Sequence, residues 1–379
     1  MTPPYPTRPG TRFPPGITVT ADGVNFCIFS RHAIRVELRL YAAADSLEAF
    51  QIIALHPEHN HSFFFWHVFV VGLPTGTYYT WQIDGPNDPI STGRRFYPHK
   101  ELLDPWARAV SDRVWDRRQG IDPNAKGGGL RAIVVNSLSP SVPATTALQT
   151  GPDLTGAVIY ELHVGAFTRH LSAGVSQPGL FAGLIEKIPY LKELGITHVE
   201  FLPIMAFDPQ SVPLPVAERG LSNYWGYNTH SFWAPHPGYC IDETGANREF
   251  RELVDTFHAA GIGVLLDVVF NHTAEGGEDG PVISFRGLGN DIFYHLDASD
   301  RRHYLDFTGC GNTVNCNHPL VTSFIVHCLE YWVDTYGVDG FRFDLASVFA
   351  RGEQGAPLAN PPLDLLIMIS TCGYFVLTN

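Results

Sequence analysis

Gly263-Val264-Leu265-Leu266-Asp267-Val268-Val269-Phe270-Asn271-His272-Thr273 is the stretch on which the fold turns. Its near-continuous apolar run, without polar alternation, is the pattern of a strand buried on both faces in a parallel sheet. Asp267 carries a carboxylate into that strand, which is costly unless it faces a polar mouth or meets a cation such as Arg342. Asn271 and His272 follow on the loop beyond the strand's carboxyl end. Asn271-His272-Thr273 also matches a glycosylation sequon, which carries no meaning for a chain expected in the cytoplasm.

Downstream, Gly340-Phe341-Arg342-Phe343-Asp344-Leu345-Ala346-Ser347 reads as a second buried strand. Side chains alternate along a strand, so Arg342 and Asp344 share one face while Phe341 and Phe343 share the other. A guanidinium favours the ionised form of a neighbouring carboxylate, as a nucleophile requires, although a structural ion pair gives the same pattern. Upstream, Ala157 to Val164 and His198 to Leu202 add two more strands. Helical patterns at Leu180 to Leu194, Asn247 to Ala260 and Leu320 to Tyr336 lie between them, with Gly195 and Gly261 placed as C-terminal stops. Strands alternating with helices predict an α/β (β/α)8 TIM-type barrel over residues 155–379, incomplete, with about four of eight strands present and its site at the carboxyl ends.

In front of this region the period shortens. Asn25 to Ser30, Arg35 to Tyr41, Phe63 to Val71 and Thr77 to Ile83 alternate between turn signals, which predicts a β-sandwich within residues 1–105. Residues 106–154 read as a linker. Its Gly127-Gly128-Gly129 is a loop and not a phosphate cradle, because no Lys-Ser or Lys-Thr follows.

With 379 residues and 45% hydrophobic content, the chain can bury substantial cores. A net charge of −13 argues against a nucleic-acid backbone or an anionic membrane surface as partner. The six cysteines show no framework spacing, the N-terminus has no signal pattern, and no apolar run is long enough to span a membrane; a soluble cytoplasmic protein is expected. Cys310 and Cys316, near His318, depart from structural zinc spacing, so no metal is expected.

Asn223-Tyr224-Trp225-Gly226-Tyr227-Asn228 gathers three aromatics around a glycine in a loop that should border the same mouth. Such rings serve as core, or as flat faces for pyranose rings.

Val158-Ile159-Tyr160-Glu161-Leu162-His163-Val164, Tyr190 through Pro203, Asn223 through Asn228, Asp267 through Thr273, Gly311-Asn312-Thr313-Val314-Asn315 and Gly340 through Ser347 follow one another in a telling order. Together they resemble the α-amylase family of glycoside hydrolases, most closely its glycogen-debranching, isoamylase-type branch. The resemblance runs from about Gly16 to Pro362, and the front sandwich resembles the carbohydrate-binding-like module that precedes the barrel in debranching and branching enzymes. It implies a retaining hydrolase that cuts α-1,6 branches in glycogen or another branched α-glucan, without a cofactor. Asp344 matches the nucleophile, and Arg342 the residue that orients it. Tyr227 matches the aromatic that stacks on the sugar at the cleavage point, while Asp267 and His272 match residues that shape the site and bond that sugar's hydroxyls. Tyr224, Trp225 and Asn271 are further substrate-binding candidates.

Retaining chemistry needs a second carboxyl group as acid. In the family this is a Glu at the end of the next strand. From Gln354 to Asn379 there is no Glu, Lys or Arg, the one acid is Asp364, and after Pro361-Pro362 the text turns apolar. The expectation is a truncated or frame-shifted end, no general acid, and little activity by this chain alone. Alternatives are a non-catalytic glycan-binding protein and, among enzymes, an α-1,4-cleaving amylase, a branching transferase or a trehalose-forming hydrolase.

Overall fold

The computed structural model of the chain describes residues 4–126, 129–138, 156–352, 355–358 and 374–377. Gly127, Gly128, residues 139–155, Glu353, Gln354, the stretch from Pro361 through Ile369, and Cys372 lie outside them.

The alternating runs at the front form two antiparallel sheets. Gly23–Phe29 lies between Gly16–Thr20 and Phe65–Val71, with Thr7–Pro9 at the far edge. Arg35–Tyr41 lies between Gln51–Ala54 and Tyr78–Asp84 in the second sheet. Its inward positions Val36, Leu38 and Leu40 share one core with Phe26, Trp66, Val68 and Trp81, which is what alternation on a two-sheet sandwich produces. The second sheet also takes in Val110–Ser111 and Arg131–Ile133, the latter paired with Tyr78 and Tyr79. Part of the segment read as a linker is therefore sheet. These strands are two and three residues long, too short for alternation to register.

Behind the sandwich, β1 (Ile159–Leu162), β2 (His198–Phe201), β3 (Gly263–Val268) and β4 (Gly340–Phe343) pair side by side in parallel, in the order expected. A fifth strand, β5 (Tyr374–Leu377), extends the sheet beyond β4, one more than the four expected. The five form an open sheet, part of a barrel.

The single helix expected over Leu180 to Leu194 is two, α1 (Phe181–Ile185) and α2 (Ile188–Glu193). Pro189 has no N–H, and in a continuous helix its ring would strike the Ile185 carbonyl, so the chain restarts with Pro189 in the first turn of α2. α3 (Ala246–Ala259) buries Phe250, Leu253, Val254 and Phe257, a stripe at helical spacing, and α4 (Pro319–Tyr336) buries Phe324, Cys328 and Trp332. Gly195, Gly261 and Gly337 take φ of 81°, 79° and 75° just past α2, α3 and α4, a left-handed turn that glycine adopts without penalty.

The two halves share a packed boundary. Trp106 meets Phe324 edge-on at 5.5 Å, Phe29 meets Phe293 at 6.4 Å, and the Ser30 hydroxyl donates to the Leu288 carbonyl at 2.8 Å. No helix among the described residues is long and apolar enough to cross a membrane.

Candidate active site

The register of β3 on β4 sets Asp267 opposite Arg342. Alternation then brings Asp267, Arg342 and Asp344 to one face, while Phe341 and Phe343 enter the core. Arg342 Nη1 donates to both carboxylate oxygens of Asp267 at 2.9 Å and to Asp344 Oδ1 at 3.0 Å. One guanidinium nitrogen thus holds two carboxylates. The Tyr227 hydroxyl donates to Asp267 Oδ2 at 2.5 Å, and Asn271 Nδ2 donates to Asp344 Oδ2 and to the Asp344 carbonyl, both at 2.9 Å. His272 lies between two side-chain oxygens, with Nδ1 on Asn271 Oδ1 and Nε2 3.2 Å from Asn228 Oδ1. The buried position of Asn271 and its engaged amide leave the sequon without an accessible acceptor.

Asp267 is 1% exposed, and burial pushes its carboxyl up to about 6; the bonds from Tyr227 and Arg342 pull the other way. Burial also raises the Tyr227 phenol, with the Asp267 bond adding to it. For Arg342 burial is the largest single influence and disfavours the charge, yet the bond to Asp267 together with the Asp267, Tyr227 and Asp344 charges outweighs it and raises the guanidinium. Burial holds His272 below the usual imidazole range, against an opposing pull from the Asp344 charge. On β2, Glu200 is pushed up by burial, then by Asp267 and Glu161. Arg342 and Asp344 keep 21% and 19% of their side-chain surface exposed. A carboxylate gripped by two donors but still open to solvent can meet an electrophilic carbon arriving at the mouth.

Tyr227 reaches Asp267 because its loop is held at several points. Gly226 takes φ of 83°, and a Cβ there would fall 2.9 Å from the Phe207 ring, so no other residue fits without a shift. The Asp208 N–H donates to the Asn228 carbonyl at 2.9 Å, and Asn223 Nδ2 donates to the Asp208 carbonyl at 3.1 Å. The Asp208 carboxylate in turn accepts from Trp115 Nε1 at 2.7 Å and from Arg117. Tyr224 and Trp225 stand exposed on the same loop, with Trp225 edge-on to Tyr224 at 5.1 Å.

Several supporting residues have no role assigned in the sequence reading, although three of them lie within the quoted segments. Asn228 faces His272, and His163, at the carboxyl end of β1, stacks on Tyr224. Asn312 braces the loop after β3, bonding Thr273 N and O at 3.1 Å each. Glu275 is buried and accepts from the N–H groups of Ile283, Ser284 and Arg286 at 2.7 to 2.9 Å and from the Tyr294 hydroxyl. Most of its donors are backbone amides, which leave no trace in a sequence. Leu345, just after Asp344, takes a left-handed φ of 45° that turns the chain sharply at the site.

The cysteines near His318 do not converge: Cys310 is exposed and faces the Thr308 carbonyl, whereas Cys316 is buried against the Phe270 carbonyl. Among the described residues, one trio of His, Cys or acidic side chains has its ligand atoms close together: His56, Glu58 and His59, exposed on the sandwich.

The catalytic domain of the α-amylase family matches residues 149–279, and carbohydrate-binding module 48, the isoamylase N-terminal domain, matches residues 14–107. Isoamylase 3, chloroplastic, of Oryza sativa subsp. japonica is 38% identical over 377 residues, covering 95% of this chain and 47% of the relative. A glycogen debranching enzyme of Yersinia enterocolitica is 37% identical over 369 residues, covering 92% of this chain and 53% of the relative. The chain therefore spans about half the length of the curated relatives it matches. Among solved structures, pullulanase type I of Bacillus subtilis complexed with maltose superposes with a TM-score of 0.70 at 25% identity, over 94% of this chain and 45% of that one. Pullulanase of Paenibacillus barengoltzii in complex with maltohexaose and α-cyclodextrin gives 0.68 at 25% identity, over 89% and 49%. The chain thus carries an isoamylase-type module in front of sequence matching the catalytic domain of the α-amylase family, and isoamylases and glycogen debranching enzymes are among its relatives.

Proposed function

We propose that this constellation serves the hydrolysis of α-1,6 branch linkages in glycogen or a related branched α-glucan, with retention at the anomeric carbon. The observation that carries the reading is Arg342 Nη1 bridging Asp267 and Asp344 at the carboxyl ends of two adjacent parallel strands, with Tyr227 against Asp267. Asp344 attacks the anomeric carbon as the glycosidic C–O bond breaks, forming a glycosyl ester that water then hydrolyses. Arg342 orients that carboxylate. Asp267 and His272, both buried, shape the site from behind through Arg342 and Asn271, and Tyr227 offers the sugar a flat face. The isoamylase and debranching-enzyme relatives support branch-point chemistry. A net charge of −13 supports a neutral glucan over nucleic acid or an anionic membrane, and a cytoplasmic setting goes with that reading.

After Asp344 the sequence holds one Glu, Glu353, and one Asp, Asp364, both outside the described residues. No general acid is assigned among the described residues, and working without one typically costs about 10²- to 10⁴-fold in rate. A leaving group that needs no proton separates nucleophile from acid. The expected result is fluoride release from α-maltotriosyl fluoride with little release of linear chains from glycogen. Asp344→Asn should abolish the fluoride release, and release surviving within tenfold overturns the nucleophile assignment. Any chains freed should come from branched limit dextrin, with amylose left unshortened; shortened amylose would favour an α-1,4-acting enzyme. The exposed Tyr224 and Trp225 favour one second reading, a glycan-binding protein, which predicts retention on glycogen without fluoride release.

A further inference from the structure

We infer that His56, Glu58 and His59 form a binding site for a divalent transition-metal ion of the zinc class, on the connection between the two sheets of the sandwich. The inference is independent of the reading of the two-acid centre. The three side chains are exposed, and their ligand atoms all lie within 4.8 Å of one another. The His56 and His59 rings stack with centroids 5.4 Å apart and planes at 28°. Among the described residues, no hydrogen bond or ion pair engages any of the three side chains, so all three donor atoms are available to a ligand. Two imidazole nitrogens and a carboxylate oxygen gathered this closely suit zinc, copper or nickel, whereas calcium and magnesium take sets of oxygen ligands. The absence of zinc spacing at Cys310 and Cys316 predicts no metal, but that spacing concerns thiolates, and this trio lies in another part of the chain.

The backbone that carries them is held in place. Pro57 restricts φ at the start of the single turn Pro57–Asn60. The His59 and Asn60 N–H groups donate to the His56 carbonyl at 3.0 and 2.8 Å, which closes that turn. The Asn60 side chain accepts from the His56 N–H at 2.9 Å and donates to the His67 carbonyl at 3.0 Å, which ties the turn to the strand Phe65–Val71. Zinc takes bonds of about 2.0–2.2 Å from imidazole and carboxylate, so the three donor atoms must draw closer together. Side-chain rotation supplies that movement, and around exposed groups no packed neighbour opposes it. Three protein donors leave one tetrahedral position to water. The turn joins Gln51–Ala54 of one sheet to His61–Ser62 of the other, so an ion bound here clips the crossover of the sandwich and stabilises the folded chain by mass action.

The test is calorimetry with zinc chloride on the whole chain, untagged and freed of metal by a chelator. Zinc binding is expected, with no comparable binding of magnesium or calcium. Losing a ligand should cost at least as much as losing a ligand's outer-shell partner, so His56→Asn and His59→Asn should each weaken the tightest zinc site about 10-fold or more. Glu58→Gln should weaken it less, because an amide oxygen remains. Zinc should also raise the unfolding temperature of the unsubstituted chain and leave that of His59→Asn unmoved. Failure of the unsubstituted chain to bind zinc overturns the site, as does zinc affinity within twofold of the unsubstituted value in both histidine variants. Calcium or magnesium bound as tightly as zinc overturns the assignment of metal class. Should a histidine variant fail to fold, anomalous diffraction at the zinc edge from soaked crystals of the unsubstituted chain decides: a peak between the two rings supports the site, and a peak only elsewhere overturns it.

Discussion

Asp104, at the exit from the sandwich, and Asp267, in the barrel sheet, are both buried and both pushed by burial to about 6, yet they stand in different company. Asp104 accepts from the Tyr79 hydroxyl at 3.0 Å, Trp81 Nε1 at 3.3 Å and the Trp106 N–H at 2.9 Å, all neutral donors. Asp267 accepts from a guanidinium that it shares with a second acid, and from a phenol on a loop. A raised carboxyl therefore does not mark a site by itself, since structural burial raises one equally. What sets the barrel acid apart is a cation divided between two carboxylates where parallel strands end, one of them, Asp344, open to solvent.

The comparison can be broken most directly by activity. Asp267→Asn should lower fluoride release from α-maltotriosyl fluoride roughly 10²- to 10³-fold, because Arg342 loses one of its two anionic partners and the site its arrangement. Asp104→Asn should stay within about threefold per folded molecule, since its partners only support the fold. A comparable loss in both variants would erase the distinction.

Acidity sharpens the same contrast. Burial raises the Asp104 carboxyl to about 6 from an ordinary 3.8, so the unfolded chain gives up this proton first as pH rises. Its contribution to stability is full below about pH 4 and is lost by about pH 6, a change of up to about 3 kcal/mol. Urea unfolding across this window should show stability falling as pH rises, and Asp104→Asn should remove that share. Fluoride release should run the opposite way, failing below about pH 6 as Asp267 takes up a proton and loosens the clamp. An activity profile flat from pH 7 to pH 5 would separate Asp267 from the mechanism.

The smallest effect concerns how the two acids are supported. Asp104's side-chain donors sit on a sandwich strand, whereas Tyr227 sits on a loop whose turn requires a left-handed glycine. Gly226→Ala should cost about 1–2 kcal/mol in unfolding free energy, through strain and the close Phe207 ring, and should weaken maltose binding by displacing Tyr227. Binding unchanged in a folded variant would mean that the loop tolerates the shift.

Much of this arrangement is legible along the chain, because it depends on neighbours. Apolar runs mark β1 to β4, a stripe at helical spacing marks α3, and alternation alone places Arg342 and Asp344 on one face. Pro189 shows how a local rule can be passed over: the apolar period continues through it, while the missing N–H splits the helix. Val110–Ser111 and Arg131–Ile133 show the opposite case, strands too short to carry any period and recruited by an edge already formed.

The remainder depends on which distant segments meet. Asp267 opposite Arg342, His272 beside Asn228, Asp208 under the aromatic loop and His163 against Tyr224 are contacts between residues from 15 to 75 positions apart, and they exist because sheet register and loop anchoring bring those segments together. Periodicity reports the environment on either side of one segment. It contains no information on the partner across the gap, so the residue types of the site could be read in the chain, but its pairing required the folded backbone.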